Sequence, residues 1–147
     1  MKSKVSLLFI VALLLGAGGA PDDQKKELAK FAGTWSLGEL LYNGEDHSKL
    51  NFKVTFKGNE GIVEGNDDVK REYARIKFKL DPSAKPKIMD ITVAAGSQTD
   101  ATMAGIYEFK DGELRMCVRV VGKDRPTEFA SPEDSSIVLL VLKKAVP

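Results

Sequence analysis

The sequence predicts an all-β protein, an eight-stranded antiparallel up-and-down barrel with one short N-terminal helix. Three observations carry this. Apolar and polar residues alternate with period two through most of the chain. Turn signals recur between those runs at the spacing of a sandwich or barrel. No connection holds the long amphipathic helix that parallel pairing requires. Closure into a barrel removes the exposed edges that an open sheet of this size would leave.

The first segment sets the compartment. Lys2 and Lys4 precede an apolar run from Val5 to Leu15, and Gly16-Ala17-Gly18-Gly19-Ala20 supplies the small residues of a cleavage site. The run is shorter than the roughly 20 residues that cross a bilayer. Residues 1–20 therefore read as a signal peptide, and residues 21–147 as one domain of ordinary size. No Cys follows the apolar run, which argues against a lipid anchor. The expected destination is the periplasm or the exterior.

Asp22 and Asp23 are N-cap candidates for a helix to Ala32, with Leu28 and Phe31 on its apolar stripe and Gly33 as its stop. The first strand, Gly33 to Leu41, places Trp35, Leu37 and Leu41 in phase, with a break at Glu39. Asn43-Gly44 is a turn signal. Phe52, Val54 and Phe56 alternate with Lys53, Thr55 and Lys57, and the glycines of 58–61 turn the chain into Ile62-Val63-Glu64. From Tyr73 to Leu80, Ala74, Ile76, Phe78 and Leu80 oppose Arg75, Lys77 and Lys79. Further strands follow at Lys87 to Val93 and Met103 to Lys110, where Tyr107 and Phe109 share the phase of Met103. Asp111-Gly112 is a strong hairpin signal. In the seventh strand Leu114, Met116, Val118 and Val120 alternate with Arg115, Cys117 and Arg119. A loop with two prolines runs from Gly122 to Ser135. The last strand, Ile137 to Leu142, is apolar throughout, as in a strand covered on both faces.

Charge and composition narrow the partners. The formal net charge is +1, and loss of Lys2 and Lys4 with the leader takes it to −1. Acidic and basic residues are interleaved, so neither nucleic acid nor an anionic membrane is an expected partner. Cys117 is the one cysteine, which excludes an intrachain disulfide. Stability must then come from the core.

No catalytic constellation emerges. His47, the single histidine, is flanked by Asp46 and Ser48 and reads as a solvated turn. Arg115 and Arg119 share a face with Cys117 and could activate its thiol, but a mid-strand cysteine is more often simply buried. Asn66-Asp67-Asp68 lacks the alternating acidic ligands of a calcium loop and reads as a plain turn. No metal site, no cofactor and no enzymatic activity are expected.

Several segments carry a family resemblance. Gly33-Thr34-Trp35, after a short helix, resembles the Gly-x-Trp signature of lipocalins. Leu80-Asp81-Pro82, Lys85-Pro86-Lys87, Asp90-Ile91-Thr92-Val93, Gly105-Ile106-Tyr107-Glu108, Leu114-Arg115-Met116-Cys117 and Arg125-Pro126-Thr127-Glu128-Phe129 follow in order. Together they resemble a lipocalin-like domain found in exported proteins of planctomycete bacteria, a family with no assigned activity. The resemblance spans roughly Leu28 to Lys144 and implies a lipocalin-type barrel without implying a reaction. In lipocalins a basic residue near the end of the last strand covers the signature Trp. Lys143 and Lys144 stand there in place of the usual Arg, and Arg115 is the alternative partner.

The expected function is the binding of a small apolar molecule inside a monomeric, exported barrel. Its candidate contacts are Trp35, Phe56, Tyr107, Phe109 and Met116, with Arg115 or Tyr107 as a handle for a ligand carboxylate. Which face of the seventh strand points inward is left open by periodicity. The alternative is a protein-interaction or inhibitor-type module acting through its outer face or loops, with Arg125 and Glu128 of the 122–135 loop as its candidate residues.

Overall fold

The computed structural model describes residues 21–145; the expected signal peptide, residues 1–20, lies outside them. The chain forms helix α1 (Pro21–Phe31), strand β1 (Gly33–Tyr42), a two-residue strand β2 (Glu45–Asp46) and a 3-10 turn (Ser48–Leu50). Strands β3 (Lys53–Lys57) and β4 (Glu60–Glu64) lead into helix α2 (Asp67–Glu72). The strands β5 (Arg75–Asp81), β6 (Lys87–Ala95), β7 (Thr102–Lys110), β8 (Glu113–Arg119) and β9 (Ile137–Lys144) complete the chain.

All pairings are antiparallel: β1 pairs with both β2 and β3, each later strand pairs with the next, and β9 returns to β1 to close the barrel. Eight strands form the wall, with β2 a short extension on β1. This is the closed eight-stranded up-and-down barrel that the sequence predicts. Asn43-Gly44 and Asp111-Gly112 make the tight hairpins, with φ of 51° and 80° in the first and 54° and 78° in the second, the doubly positive pattern of a type I′ turn.

Helix α1 begins at Pro21, so Asp22 and Asp23, expected as N-caps, lie in its first turn, and three later elements also differ from expectation. In β1 the pairing to β9 shifts between Leu37 and Glu39. This bulge sends Leu40 and Tyr42 inward and turns Leu41, expected inside, to the outer face. Asn66-Asp67-Asp68 is a helix start rather than a plain turn: Asn66 caps α2, its Oδ1 accepting from the Val69 N–H at 3.0 Å. The last strand is covered on its outer side only in part. There Ile137 and Leu139 join Ile106 and Cys117 in a small apolar cluster beneath Phe129 of the 122–136 segment.

The main core lies inside the barrel, and its lower end is plugged by α1. Phe31 is fully buried and meets the rings of Phe56, Phe78, Tyr107 and Phe109 at centroid distances of 5.0 to 5.5 Å. Such aromatic pairs add about 0.5–1.5 kcal/mol each beyond the area they bury. Trp35 donates from Nε1 to the Phe31 carbonyl at 2.7 Å, so the signature indole is tied to the last turn of α1. The Lys144 ammonium lies 4.9 Å from the indole centroid and also donates to the Ala32 carbonyl. Of the three expected partners, Lys143, Lys144 and Arg115, it is Lys144 that covers the tryptophan. Gly33 has φ of 116°, a backbone conformation that side chains bearing a Cβ rarely adopt, which favours glycine where the helix gives way to β1.

Candidate functional site

Above the aromatic plug the barrel is hollow. A cavity of about 430 Å³ occupies its upper half, walled by Val54, Ile91, Met103, Met116, Leu140 and other apolar side chains of the inner face. The volume falls within the range of small-molecule pockets, ~300–1,000 Å³. The apolar walls offer water few hydrogen bonds.

A lid of three short segments sits over this end. Leu50 of the 3-10 turn, Val69 of α2 and Tyr73 just beyond it turn their apolar surface to the cavity. Asn66 ties the first two together, donating from Nδ2 to the Leu50 carbonyl at 2.6 Å. The 96–100 loop holds the C-terminal end of α2: the Ser97 and Gln98 N–H groups donate to the carbonyls of Arg71 (2.8 Å) and Glu72 (3.2 Å). Gly96, with φ of 120°, passes so close to the Glu72 carbonyl that a Cβ would collide with it. These lid groups were missed by sequence reasoning. Six helical residues with one apolar side chain, Val69, give no periodicity; the Asn66-x-x-Val69 cap was the available signal.

The residues with polar side chains that line the cavity are Tyr42, His47, Glu72 and Tyr73, all near the lid. Burial, followed by the negative charge of Glu72, pushes the Tyr73 hydroxyl up, so it stays protonated. His47 Nε2 lies 3.7 Å from a Glu45 oxygen. Ser48 instead donates its hydroxyl and its N–H to Asp46 at 2.5 and 2.8 Å, which holds the Asp46 carboxyl low. The Ser48 proton therefore goes to Asp46 and not to the imidazole, as a nucleophilic site would need. Among the described residues no group of three or more His, Cys, Asp or Glu is placed to hold a metal ion.

The six candidate contacts separate into three places. Phe56 and Met116 line the cavity. Trp35, Tyr107 and Phe109 face inward but pack into the plug below it. Tyr107 is no ligand handle: its hydroxyl donates to the buried Glu27 carboxylate at 2.6 Å. Arg115 is not inside. The inner face of β8 presents Leu114, Met116 and Val118, so alternation places Arg115, Cys117 and Arg119 outside. Arg115 lies 4.0 Å from Glu113, and its Nε is buried without a hydrogen-bond partner. The carboxylate handle proposed from the sequence is thereby removed. Burial pushes the Cys117 thiol up, and it donates to the Ala130 carbonyl at 3.3 Å, so the flanking arginines do not activate it.

The 122–136 segment lies against the outer wall as a fastened strap. Arg125 donates to the Gly105 carbonyl at 2.9 Å, to the Met89 carbonyl at 3.3 Å and to Asp90 at 2.7 Å. Ser131 is buried and donates to the Ile137 carbonyl at 2.7 Å. Arg125, a candidate interaction residue, is thus engaged within the fold.

No protein-family model matches the chain, and no curated protein matches it. Among solved structures it is similar to the crystal structure of a point mutant of the fluorescent protein UnaG, with 10% sequence identity and a TM-score of 0.41 over 82% of this chain and 99% of that one. Among the described residues no helix is long and apolar enough to cross a membrane.

Proposed function

We propose that this chain is an exported, monomeric, non-enzymatic binding protein that encloses one small apolar molecule in the upper half of its barrel. The apolar cavity carries this reading. A barrel built only for stability gains by filling its interior, because each unfilled volume forfeits packing. Here the lower half is filled by the α1 plug, while the upper half keeps about 430 Å³ beneath a separate lid. Burial of an apolar ligand there would be driven by ~25 cal/mol per Å² removed from water. Export rests on the Lys2-to-Ala20 pattern, and membership of the lipocalin-like family of planctomycete exported proteins rests on the segments from Gly33 to Phe129.

The test uses N-phenyl-1-naphthylamine, a neutral apolar fluorophore. Wild type should enhance its emission saturably with one site. Met116→Trp places an indole in the cavity and should abolish that signal while the far-ultraviolet circular dichroism stays native. A wild type that leaves the probe dark, or a Met116→Trp variant that binds it equally well, would refute the reading.

A further inference from the structure

We propose that the ligand carries a non-anionic, hydrogen-bond-donating head, an amine or a hydroxyl, seated beneath α2 against Tyr42, Tyr73 and Glu72. This rests on the reading that the cavity holds an apolar molecule, and it adds the chemistry of the polar end. Among the described residues no lysine or arginine lines the cavity. The nearby arginine of α2, Arg71, lies 3.3 Å from Asp68 on the exposed side of that helix, and Arg115 is outside the barrel wall. A carboxylate head would lose its hydration, find no lysine or arginine inside and face a mouth that carries Glu72. The one imidazole there, His47, has its Nε2 3.7 Å from a Glu45 oxygen. This combination disfavours entry.

The groups that are present suit the opposite head. Two phenol oxygens can accept a hydrogen bond, and a carboxylate accepts more strongly and attracts a cation. Neither phenol is committed to another side chain among the hydrogen bonds of the described residues, whereas Tyr107, the third tyrosine, is bound to Glu27. Glu72 lines the cavity while remaining exposed to solvent, and its backbone carbonyl is clamped by Gln98. The tail of such a ligand runs down between Val54, Met116 and Leu140 toward Phe56, where the plug ends the cavity.

Three ligands with one tail test this: dodecylamine, dodecanol and dodecanoate, each competing with N-phenyl-1-naphthylamine at neutral pH. The amine and the alcohol should displace the probe at concentrations lower by about tenfold or more than dodecanoate requires, a gap of one decade in affinity. Glu72→Gln should weaken the amine about two- to fivefold, the scale of an exposed ion pair, and leave the alcohol unchanged. Glu72→Lys should narrow the gap by favouring dodecanoate. If dodecanoate displaces a well-bound probe as readily as the amine, the head assignment is wrong while the apolar cavity stands. If the probe itself does not bind, the cavity reading fails and the head assignment falls with it.

Discussion

Glu27 shows how a single residue can be decisive and yet silent in a sequence. It is 4% exposed, and its carboxylate accepts from Tyr107 at 2.6 Å and from Lys87 at 2.9 Å, with Lys30 2.9 Å from its other oxygen. Burial pushes the carboxyl up, but the hydrogen bonds from Tyr107, Lys87 and Lys30 outweigh it and hold the group below its ordinary range. A depressed folded-state value means that the unfolded chain takes up this proton first as pH falls. The stabilisation is thus complete above the ordinary carboxylate range and is lost as pH drops through the folded value. Glu27→Gln should cost about 1–3 kcal/mol at neutral pH, since buried donors lose a charged acceptor. It should also flatten the acid limb of a stability–pH profile from urea melts. An unchanged acid limb would show that other carboxylates set it. In the sequence Glu27 was one acid among the charged residues of a short helix, four positions before Phe31. Lys30 is a neighbour on the same helix, but Lys87 and Tyr107 come from β6 and β7, which no local pattern connects to α1.

At the scale of elements, legibility followed periodicity. β3, β5, β7 and β8 each carry a clean alternation, and the structure turns their apolar sets inward. Tight turns were readable from Asn43-Gly44 and Asp111-Gly112 because few residue pairs accept φ above zero twice. The β1 bulge was visible only as a broken rhythm at Glu39, without its consequence for Leu40, Leu41 and Tyr42. The lid was not readable, because its segments are too short to have a period and are held by backbone contacts from the 96–100 loop. The candidate site suffered in proportion: its walls were legible and its mouth was not. Asn66 is the hinge point of that mouth, capping α2 and binding the Leu50 carbonyl. Asn66→Ala should cost about 1 kcal/mol in a global melt, the worth of a cap. It should also speed release of N-phenyl-1-naphthylamine in stopped flow, since both ends of the lid loosen together. A release rate equal to that of wild type would show that the ligand leaves by another route.

Across the whole molecule the barrel divides along its axis into two regimes of packing. Below, α1, Trp35, Phe56, Phe78, Tyr107 and Phe109 form a continuous aromatic contact set, sealed by Lys144 over the indole. Above, the same strands surround unfilled volume under a lid of short segments. Strand hydrogen bonds run the full height of the wall, so the two ends differ in side-chain packing more than in backbone pairing. Local opening draws on regions with few apolar contacts, and protection from hydrogen exchange rises toward the global stability where contacts are dense. Amides of Tyr107, Leu114 and Trp35 should therefore exchange only by global unfolding. Those of Val69, Lys70 and Tyr73, whose α2 bonds reach Asn66 and Val69, should exchange through openings that expose little surface and depend little on urea. A ligand that fills the cavity adds the contacts that the upper half lacks. Saturation with N-phenyl-1-naphthylamine should slow exchange at Val69, Lys70 and Tyr73 beyond the uniform gain that mass action gives the whole fold. Native-state exchange with and without the probe measures both effects. Equal protection at the two ends in the free protein would show that the barrel opens as one unit despite its hollow half. A gain confined to the global term would mean that the lid does not close on what the cavity holds.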